Sequence, residues 1–252
     1  MSDPKTVTAA LAIIGNEVLS GRTQDANLKY LAEHLNAIGV RLMEVRVIPD
    51  IEDVIIKTVN ELRADFDYVF TTGGIGPTHD DITSAAVAKA FGLELLRDPE
   101  AERLVRSNYA KPEDVTPARL KMAEVPAGAA LLMNPVSKAP GFRVENVYVL
   151  PGVPRIMQVM FDLIRHELVG GEPMLSREIR AHLPEGKMGG PLGEIQDRFP
   201  DAELGSYPFY REGRLGASIV VRHHDKARLD AAAEEVYAMM RALGGDPMED
   251  EA

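Results

Sequence analysis

The stretch TTGGIGPTHDD, residues 71–81, joins a short, apolar, β-rich segment to an amphipathic helical segment. Its glycines allow the backbone to turn tightly and to approach a ligand with no Cβ in the way. The helix that follows would offer unpaired N–H groups and a partial positive charge, which together bind phosphate. The stretch therefore predicts a phosphate-binding loop, although it has neither the lysine of a Walker loop nor the G-x-G-x-x-G spacing. His79 within it is a candidate for a ligand or proton-transfer role.

Two acidic residues end this stretch, and they admit two interpretations. Glycine-rich turns occur throughout α/β proteins, and Asp80 or Asp81 could simply cap the helix. One acid suffices for a cap, so a second acid beside a phosphate loop favours a hydrated divalent cation that bridges to phosphate oxygens. Asp50 follows an earlier strand, and Glu17 and Asp25 flank the loop after the first strand. These positions belong to the sheet edge where α/β proteins bind ligands.

Strand and helix patterns alternate through residues 6–170. This alternation predicts a mostly parallel sheet with helices on both faces. The predicted strands cover residues 7–15, 40–48, 67–72 and 129–133, and a hairpin joins residues 142–144 to residues 147–150. Predicted helices lie near residues 25–38, 51–62, 87–91 and 154–168, and helical pieces limited by prolines lie within residues 98–123.

A glycine pair, Gly170-Gly171, is the best candidate for a domain boundary. We therefore expect an α/β domain over residues 1–170 and a small α+β domain over residues 171–252. In the second domain, residues 186–190 are expected to form a flexible loop. The acidic tail over residues 244–252 is expected to be disordered.

The composition narrows the classes of function. The chain has 252 residues, a formal net charge of -11, a sequence pI of about 5.1 and no cysteine. An acidic field repels nucleic acid and anionic lipid, so neither is an expected partner. The lack of cysteine excludes disulfides, thiolate metal sites and cysteine nucleophiles. The lack of cysteine also fits a reducing cytoplasm, where we expect the protein to be. No apolar run approaches the roughly 20 residues that span a bilayer.

A series of motifs, in order along the chain, resembles the molybdopterin-binding domain superfamily. The motifs are GNEVLSG (residues 15–21), Asn27, Asp50, TTGGIGPTHDDIT (residues 71–83), NPVSKAPGF (residues 134–142) and VLPGVP (residues 149–154). The chain is most similar to the amino-terminal part of CinA, the competence/damage-inducible protein A, and to the related domain of eukaryotic FAD synthases. The resemblance covers roughly residues 6–170. It implies a three-layer α/β/α fold whose ligand is a pterin phosphate or an adenine dinucleotide.

The resemblance also implies roles for individual residues. Asp81, followed by Ile82 and Thr83, matches one catalytic aspartate of the MoaB/Mog branch, and Asp50 matches the other. We expect the same two carboxylates to hold a divalent metal such as Mg, Mn or Co. The expected ligand- and phosphate-binding residues are Glu17, Asn27, Gly73, Gly74, Gly76, Pro77, Thr78, Asp80, Thr83, Ser137, Gly141, Pro151 and Gly152.

Two positions depart from the family pattern and bear on the identity of the ligand. Asn16 stands where the loop after the first strand usually has Asp or Thr, and Val153 stands where Ser or Pro is frequent. The family likeness further implies a homodimer. The carboxy-terminal amidohydrolase domain of CinA is not expected in this chain.

Three functions remain open at this point. The first is hydrolysis of a nucleotide pyrophosphate such as ADP-ribose or FAD, with a divalent metal. The second is a molybdopterin enzyme that adenylylates the pterin phosphate or assists metal insertion, and it needs the same phosphate cradle. The third is a nucleotide- or pterin-binding module without catalysis, against which the intact aspartates argue. The CinA-like motifs and the second small domain favour the first function.

Overall fold

The computed structural model of this protein describes residues 6–211 and 213–249. The chain divides into two units, Met1–Gly171 and Glu172–Ala252, and each has its own hydrophobic core. Within the described residues, no helix is long and apolar enough to cross a membrane.

The strands of the first unit form a six-stranded sheet and a two-stranded sheet. In chain order they are β1 (Val7–Ile14), β2 (Val40–Ile48), β3 (Tyr68–Thr72), β4 (Leu95–Arg97), β5 (Glu124–Pro126), β6 (Ala130–Leu132), β7 (Gly141–Val144) and β8 (Val147–Leu150). The larger sheet has the order β2-β1-β3-β8-β7-β6, and β4 pairs with β5. β2, β1, β3 and β8 run parallel, whereas β7 and β6 are antiparallel additions at one edge. The predicted mostly parallel sheet is confirmed.

The helices of the first unit lie between these strands along the chain. They are α1 (Asn16–Leu19), α2 (Asn27–Ala37), α3 (Glu52–Asp65), α4 (Thr83–Ala90), α5 (Pro99–Ser107), α6 (Pro117–Leu120) and α7 (Pro154–Ile164), with short 3-10 turns at Pro112–Asp114, Lys121–Ala123 and Arg165–Glu167. Pro99, Pro112 and Pro117 each stand in the first turn of a helical piece. A proline is tolerated there because the N–H that it lacks has no partner within the helix.

The burial of β1 explains why helices cover both faces of the sheet. Alternate side chains of a strand point to opposite faces. The even-numbered side chains from Ala10 to Ile14 pack in one core with α3 and α4, and the odd-numbered ones from Ala9 to Ile13 pack in another with α2 and α7. A strand buried on both faces has to be apolar almost throughout, which is the pattern that the sequence shows.

The second unit is a small α+β structure, as predicted. Its elements are β9 (Leu175–Ala181), α8 (Glu185–Arg198), β10 (Glu203–Arg211), β11 (Arg214–His223), α9 (Lys226–Ala242) and β12 (Met248–Glu249). The strands form a sheet in the order β10-β11-β9-β12, and all of its pairs are antiparallel. Side chains of α8 and α9 pack against this sheet in a single core.

The prediction of a flexible loop over residues 186–190 is wrong, because these residues form the first part of α8. Glycine lowers helix propensity, so the glycine-rich pattern favoured a loop. Met188 is fully buried, and Ile195 lies seven residues further on and is 2% exposed. Seven residues are about two helical turns, so both side chains project from one face into the core. Their burial offsets the low propensity of the glycines.

The prediction of a disordered tail is wrong at Met248 and Glu249, which pair with β9 as β12. The guanidinium of Arg177 donates two hydrogen bonds to the Glu249 carboxylate, from Nε to Oε1 at 2.5 Å and from Nη2 to Oε2 at 2.7 Å. This bidentate ion pair lowers the pKa of Glu249 below its usual range. Residues 244–247 of the predicted tail form no helix or strand, and residues 250–252 lie outside the described residues.

Candidate functional site

One edge of the larger sheet borders a cleft of about 550 Å³. β1, β3, β6 and β8 all end at this edge, because β7 is antiparallel to both β6 and β8. Open α/β sheets bind ligands at the carboxyl ends of their strands, and small-molecule pockets occupy roughly 300–1,000 Å³. The predicted site residues that line the cleft are Glu17, Gly73, Gly74, Gly76, Pro77, Asp81, Ser137, Pro151 and Gly152. The predicted site residues that do not line it are Asn27, Asp50, Thr78, Asp80, Thr83 and Gly141.

The glycine loop after β3 depends on glycine for its shape. Gly73 has a φ of 101°, and a Cβ on it would lie 2.1 Å from the carbonyl oxygen of Ile14. Gly74 has a φ of 69°, and a Cβ on it would lie 2.1 Å from Oγ1 of Thr83. The buried Thr83 closes the loop, since its hydroxyl donates to the Gly73 carbonyl and its N–H donates to the Gly74 carbonyl. The Thr83 hydroxyl thus donates its proton within the protein and stabilises the loop.

The same loop has backbone donors that find no acceptor within the described residues. Over residues 6–211 and 213–249, no protein oxygen accepts a hydrogen bond from the backbone N–H of Gly74, Ile75 or Gly76. All three residues line the cleft. Successive backbone N–H groups that converge on a concave surface bind anions such as phosphate.

Asp81 lies in the cleft wall, and its carboxylate faces back towards the glycine loop. Its Oδ2 accepts a hydrogen bond from the backbone N–H of Thr78 at 2.7 Å. A Cβ on Gly76 would lie 2.6 Å from the same oxygen, so the glycine makes room for the carboxylate. α4 begins at Thr83 with Ile82 as its N-cap, and no side chain caps it. The alternative that Asp81 is a helix cap is therefore wrong.

Oxygen atoms gather next to this carboxylate. The hydroxyl of Thr78 lies 2.5 Å from Oδ1 of Asp80 and 2.5 Å from Oδ2 of Asp81. A hydroxyl has one proton, so it donates to only one of the two carboxylates at a time. The hydrogen bond from Thr78, together with a backbone N–H, lowers the pKa of Asp80 and keeps that carboxyl ionised. Lys121 brings a positive charge, because its Nζ donates to the Thr78 carbonyl at 2.7 Å. The side chain of His79 is 98% exposed and does not line the cleft.

Asp50 acts on the neighbouring turn. Its Oδ2 accepts a hydrogen bond from the backbone N–H of Asn16 at 2.8 Å. Asn16 begins α1, and the next residue, Glu17, lines the cleft. Asp50 therefore positions the turn that carries Glu17.

A divalent metal fits this cleft only where ligand oxygens complete its coordination. In the described part of the chain, no group of three or more His, Cys, Asp or Glu side chains could hold a metal ion by itself. Mg²⁺ is commonly held by one or two carboxylates together with phosphate oxygens and waters. Asp81 lines the cleft with the glycine loop and fits such an ion, whereas Asp50 does not line the cleft.

Two further predicted residues hold the turn after β8 against the glycine loop. The buried Asn27 donates from Nδ2 to the carbonyl oxygen of Gly152 at 2.9 Å. A Cβ on Gly152 would lie 3.3 Å from the Cα of Gly73, so the two turns are in close contact. Gly141 serves strand packing instead, since a Cβ there would lie 2.3 Å from the carbonyl oxygen of Val149.

The loop between β6 and β7 is built around a buried asparagine that the sequence did not single out. Asn134 accepts from the backbone N–H of Val136 and of Ser137, and it donates to Ser137 Oγ at 2.7 Å and to the Ala139 carbonyl at 2.8 Å. Ser137 Oγ acts as the acceptor in that bond and keeps its own proton for a second partner. Asparagine before proline marks a turn, and this was the available signal.

Four large apolar side chains also line the cleft, and none of them was among the predicted site residues. They are Ile75, Met122, Val153 and Ile156. Met122 lies in the 3-10 turn Lys121–Ala123, far along the chain from the glycine loop, so no local pattern marks it. A cleft lined by both apolar side chains and a loop with unpartnered N–H groups suits a ligand with a flat ring and a phosphate group.

Comparisons with known proteins agree with this architecture. Residues 10–170 match the family described as "Probable molybdopterin binding domain", and residues 173–244 match the one described as "FAD synthase, middle domain". A protein of Pyrobaculum calidifontis is 42% identical over 160 residues, which are 62% of this chain and 61% of that protein. A CinA-like protein of Syntrophus aciditrophicus is 32% identical over 240 residues, which are 90% of this chain and 57% of that protein. The match thus spans less than two thirds of the length of either relative.

A solved structure shows the same fold in the first unit. The crystal structure of CinA from Thermoplasma acidophilum, a protein described as having unknown function, has a TM-score of 0.61 and 33% sequence identity. It covers 65% of this chain and 99% of that chain. The family match over residues 10–170 includes the loops that border the cleft. Because this match covers more than half of the chain, the chain belongs to the molybdopterin-binding domain family, in its CinA-like branch.

Proposed function

We propose that the cleft binds a pterin phosphate or an adenine dinucleotide and that the protein hydrolyses a nucleotide pyrophosphate of the ADP-ribose or FAD type with a divalent metal. One observation carries this proposal. Gly74, Ile75 and Gly76, whose N–H groups have no acceptor in the described residues, line the cleft together with Asp81. Donors for phosphate and a carboxylate are the two elements that phosphoryl chemistry requires.

In the proposed reaction the glycine loop, Asp81 and Ser137 have separate roles. The glycine-loop N–H groups bind the oxygens of one phosphate and stabilise the charge that grows on them during the reaction. In hydrolysis a water oxygen bonds to phosphorus, and the bridging oxygen leaves with the other phosphate. Asp81 Oδ2 is held by Thr78, so Oδ1 is the atom that orients the water and accepts its proton. Ser137, with its own proton available, donates to a second phosphate oxygen.

The metal contributes through Asp81. When bound, a divalent ion neutralises charge on the phosphate oxygens and lowers the pKa of a bound water. The sequence predicted that Asp50 shares this ion. The hydrogen bond between Asp50 and Asn16 supports a positioning role instead, through the turn that bears Glu17.

Adenylylation of molybdopterin is the second candidate, because it would use the same donors and the same carboxylate. Residues 173–244 match the middle domain of FAD synthase, and this match favours an adenine dinucleotide as the ligand. A non-catalytic binding module is the third candidate, and it differs from both enzymes by having no turnover. The predicted homodimer stays a prediction that light scattering in solution can test.

Released AMP is the test of the proposed reaction. We would incubate the purified protein with ADP-ribose, FAD and other nucleotide pyrophosphates, with Mg²⁺, Mn²⁺ or Co²⁺, and detect AMP by mass spectrometry. We expect AMP release that a chelator abolishes and that added metal restores. A pterin phosphate with ATP is the matched substrate pair for the second candidate, and formation of an adenylylated pterin without AMP release from any dinucleotide would overturn the proposal.

A further inference from the structure

A small side cavity adjoins the cleft at the end of β3. Its volume is about 50 Å³, and we call it the annex. Four residues line both the cleft and the annex, so the two spaces share one wall. The shared residues are Glu17, Thr23, Gly152 and Pro154.

Two buried polar atoms without a partner belong to residues that line the annex. Asn27 is 2% exposed and Thr72 is 1% exposed. Within residues 6–211 and 213–249, neither Oδ1 of Asn27 nor Oγ1 of Thr72 has a hydrogen-bond partner in the protein. The orientation of the Asn27 amide is set, because its nitrogen faces the Gly152 carbonyl, which can only accept. The atom left without a partner is therefore the acceptor Oδ1.

Buried polar groups without partners are rare, because each loses its hydrogen bonds to water and gains nothing in return. Two such groups in the lining of one small cavity point to a ligand group that satisfies both. The Thr72 hydroxyl is not needed to hold the fold, since valine has nearly the shape of threonine and carries no polar atom.

The chemistry of these atoms selects the ligand group. Asn27 Oδ1 accepts only, and the carboxylate of Glu17 in the same lining also accepts when ionised. A phosphate or carboxylate would bring more acceptors and would be repelled. A hydroxyl or an amino group can donate to Asn27 Oδ1 and also bond to Thr72 Oγ1. The volume holds a small polar group but is too small for a ring.

We propose that the annex receives a hydroxyl or amino group of the ligand whose phosphate lies on the glycine loop. This inference rests on the proposed function for the position of the phosphate. It adds that the ligand carries a hydrogen-bond donor at a second point, away from the phosphate. The site then recognises the ligand at two points. N–H donors bind the anion, and acceptors bind the hydroxyl or amino group. The hydroxyl would come from a sugar and the amino group from a base or a pterin ring.

Substitutions of two adjacent threonines give a matched test. Thr71, like Thr72, is buried and its hydroxyl has no partner in the described residues, but it does not line the annex. We would compare Thr72→Val with Thr71→Val, and use Thr72→Ser as the variant that keeps the hydroxyl. Binding would be measured by calorimetry with AMP, with 2′-deoxy-AMP and 3′-deoxy-AMP, and with purine riboside monophosphate, which lacks the amino group.

We expect one of the three altered probes to bind wild-type protein about tenfold more weakly than AMP, the size of one well-placed hydrogen bond. A deoxy probe would identify a sugar hydroxyl, and purine riboside monophosphate would identify the amino group. Thr72→Val should weaken AMP binding by about the same factor and leave binding of that probe unchanged, because both changes remove one interaction. Thr72→Ser and Thr71→Val should bind every probe as the wild type does.

The inference is overturned if Thr72→Val weakens all four probes equally, if it weakens none, or if Thr71→Val has the same effect. It is also overturned if wild-type protein binds no probe. Its failure is distinct from failure of the proposed hydrolysis. If the protein releases AMP from ADP-ribose but binds all probes equally, only the proposed role of the annex is rejected. If the probes bind in the expected pattern but no AMP is released, only the proposed hydrolysis is rejected.

Discussion

The helices α4 and α5 of the first unit each begin shortly after an aspartate, and the two carboxylates bond in opposite directions. Asp98 is the N-cap of α5, and its Oδ1 accepts from the N–H of Glu100 at 2.9 Å and of Ala101 at 2.8 Å. Asp81 precedes α4, but its Oδ2 accepts from the N–H of Thr78, earlier in the chain. One carboxylate stabilises a helix, and the other stabilises the glycine loop.

The difference follows from what satisfies the start of each helix. At α4 no side chain caps the helix, and the N–H of its first residue, Thr83, donates to the carbonyl of Gly74 in the glycine loop. The charge of Asp81 is then available to the cleft. At α5 the carboxylate of Asp98 is itself the cap and faces the helix. The same substitution at the two positions should therefore change different properties, turnover at Asp81 and stability at Asp98.

The largest expected effect is that of Asp81→Asn on turnover. Asn keeps the acceptor for Thr78 but lacks the charge that a metal ion or a proton requires. We expect AMP release to fall by about two powers of ten or more, which is roughly 2.7 kcal/mol of transition-state stabilisation. Asp98→Asn is the matched control and should keep wild-type turnover, because Asn is about as good a cap as Asp. Equal turnover of the two variants would contradict a catalytic role that is specific to Asp81.

Asp50→Asn should have the next largest effect. The amide oxygen of Asn can still accept from the N–H of Asn16, but the negative charge at the turn before Glu17 is lost. We expect turnover to fall about tenfold, or roughly 1.4 kcal/mol. The double variant with Asp81→Asn should lose less than the product of the two single effects, because both residues serve one phosphate site. Fully multiplicative losses in the steady-state rates would show that Asp50 acts independently of Asp81.

Gly76→Ala tests the space that the glycine loop leaves for the Asp81 carboxylate. The new Cβ would lie 2.6 Å from Asp81 Oδ2, so the carboxylate would have to move. Because catalysis is sensitive to displacements of this size, we expect kcat/KM to fall about tenfold. Gly189→Ala in α8 is the control, since nothing lies within 4 Å of its Cβ, and it should raise the free energy of unfolding by up to about 1 kcal/mol. Unchanged kcat/KM in Gly76→Ala would contradict the packing described for Asp81.

The smallest expected effect is on stability, and here the variant of Asp98 should be affected more than the variant of Asp81. Asp98→Ala should lower the free energy of unfolding by about 1 kcal/mol, because the N–H groups of Glu100 and Ala101 lose their acceptor. Asp81→Ala should lower it by less than about 0.5 kcal/mol, as expected for a residue that caps no helix. Urea unfolding of both variants measures the difference, and a larger loss for Asp81→Ala would return that residue to a structural role.

The elements of the first unit could be predicted from the sequence wherever local signals were strong. β2 was predicted over residues 40–48, and the structure has it as Val40–Ile48, because Gly39 and Pro49 mark both ends of the strand. α8 was missed in part, because the burial of Met188 outweighs the glycines around it. Local propensity is a weak signal, and tertiary packing overrides it.

The sequence by itself determined the family, the mostly parallel sheet and the position of the glycine loop, because each of these depends on patterns that span only a few residues. Only the tertiary structure decided the direction of the Asp81 bond, the place of Met122 in the cleft wall and the two unpartnered atoms of the annex. These features depend on contacts between distant parts of the chain, such as the hydrogen bond between Asn27 and Gly152, which are 125 residues apart. No local pattern encodes such a contact, since it forms only when the sheet brings the strand ends together.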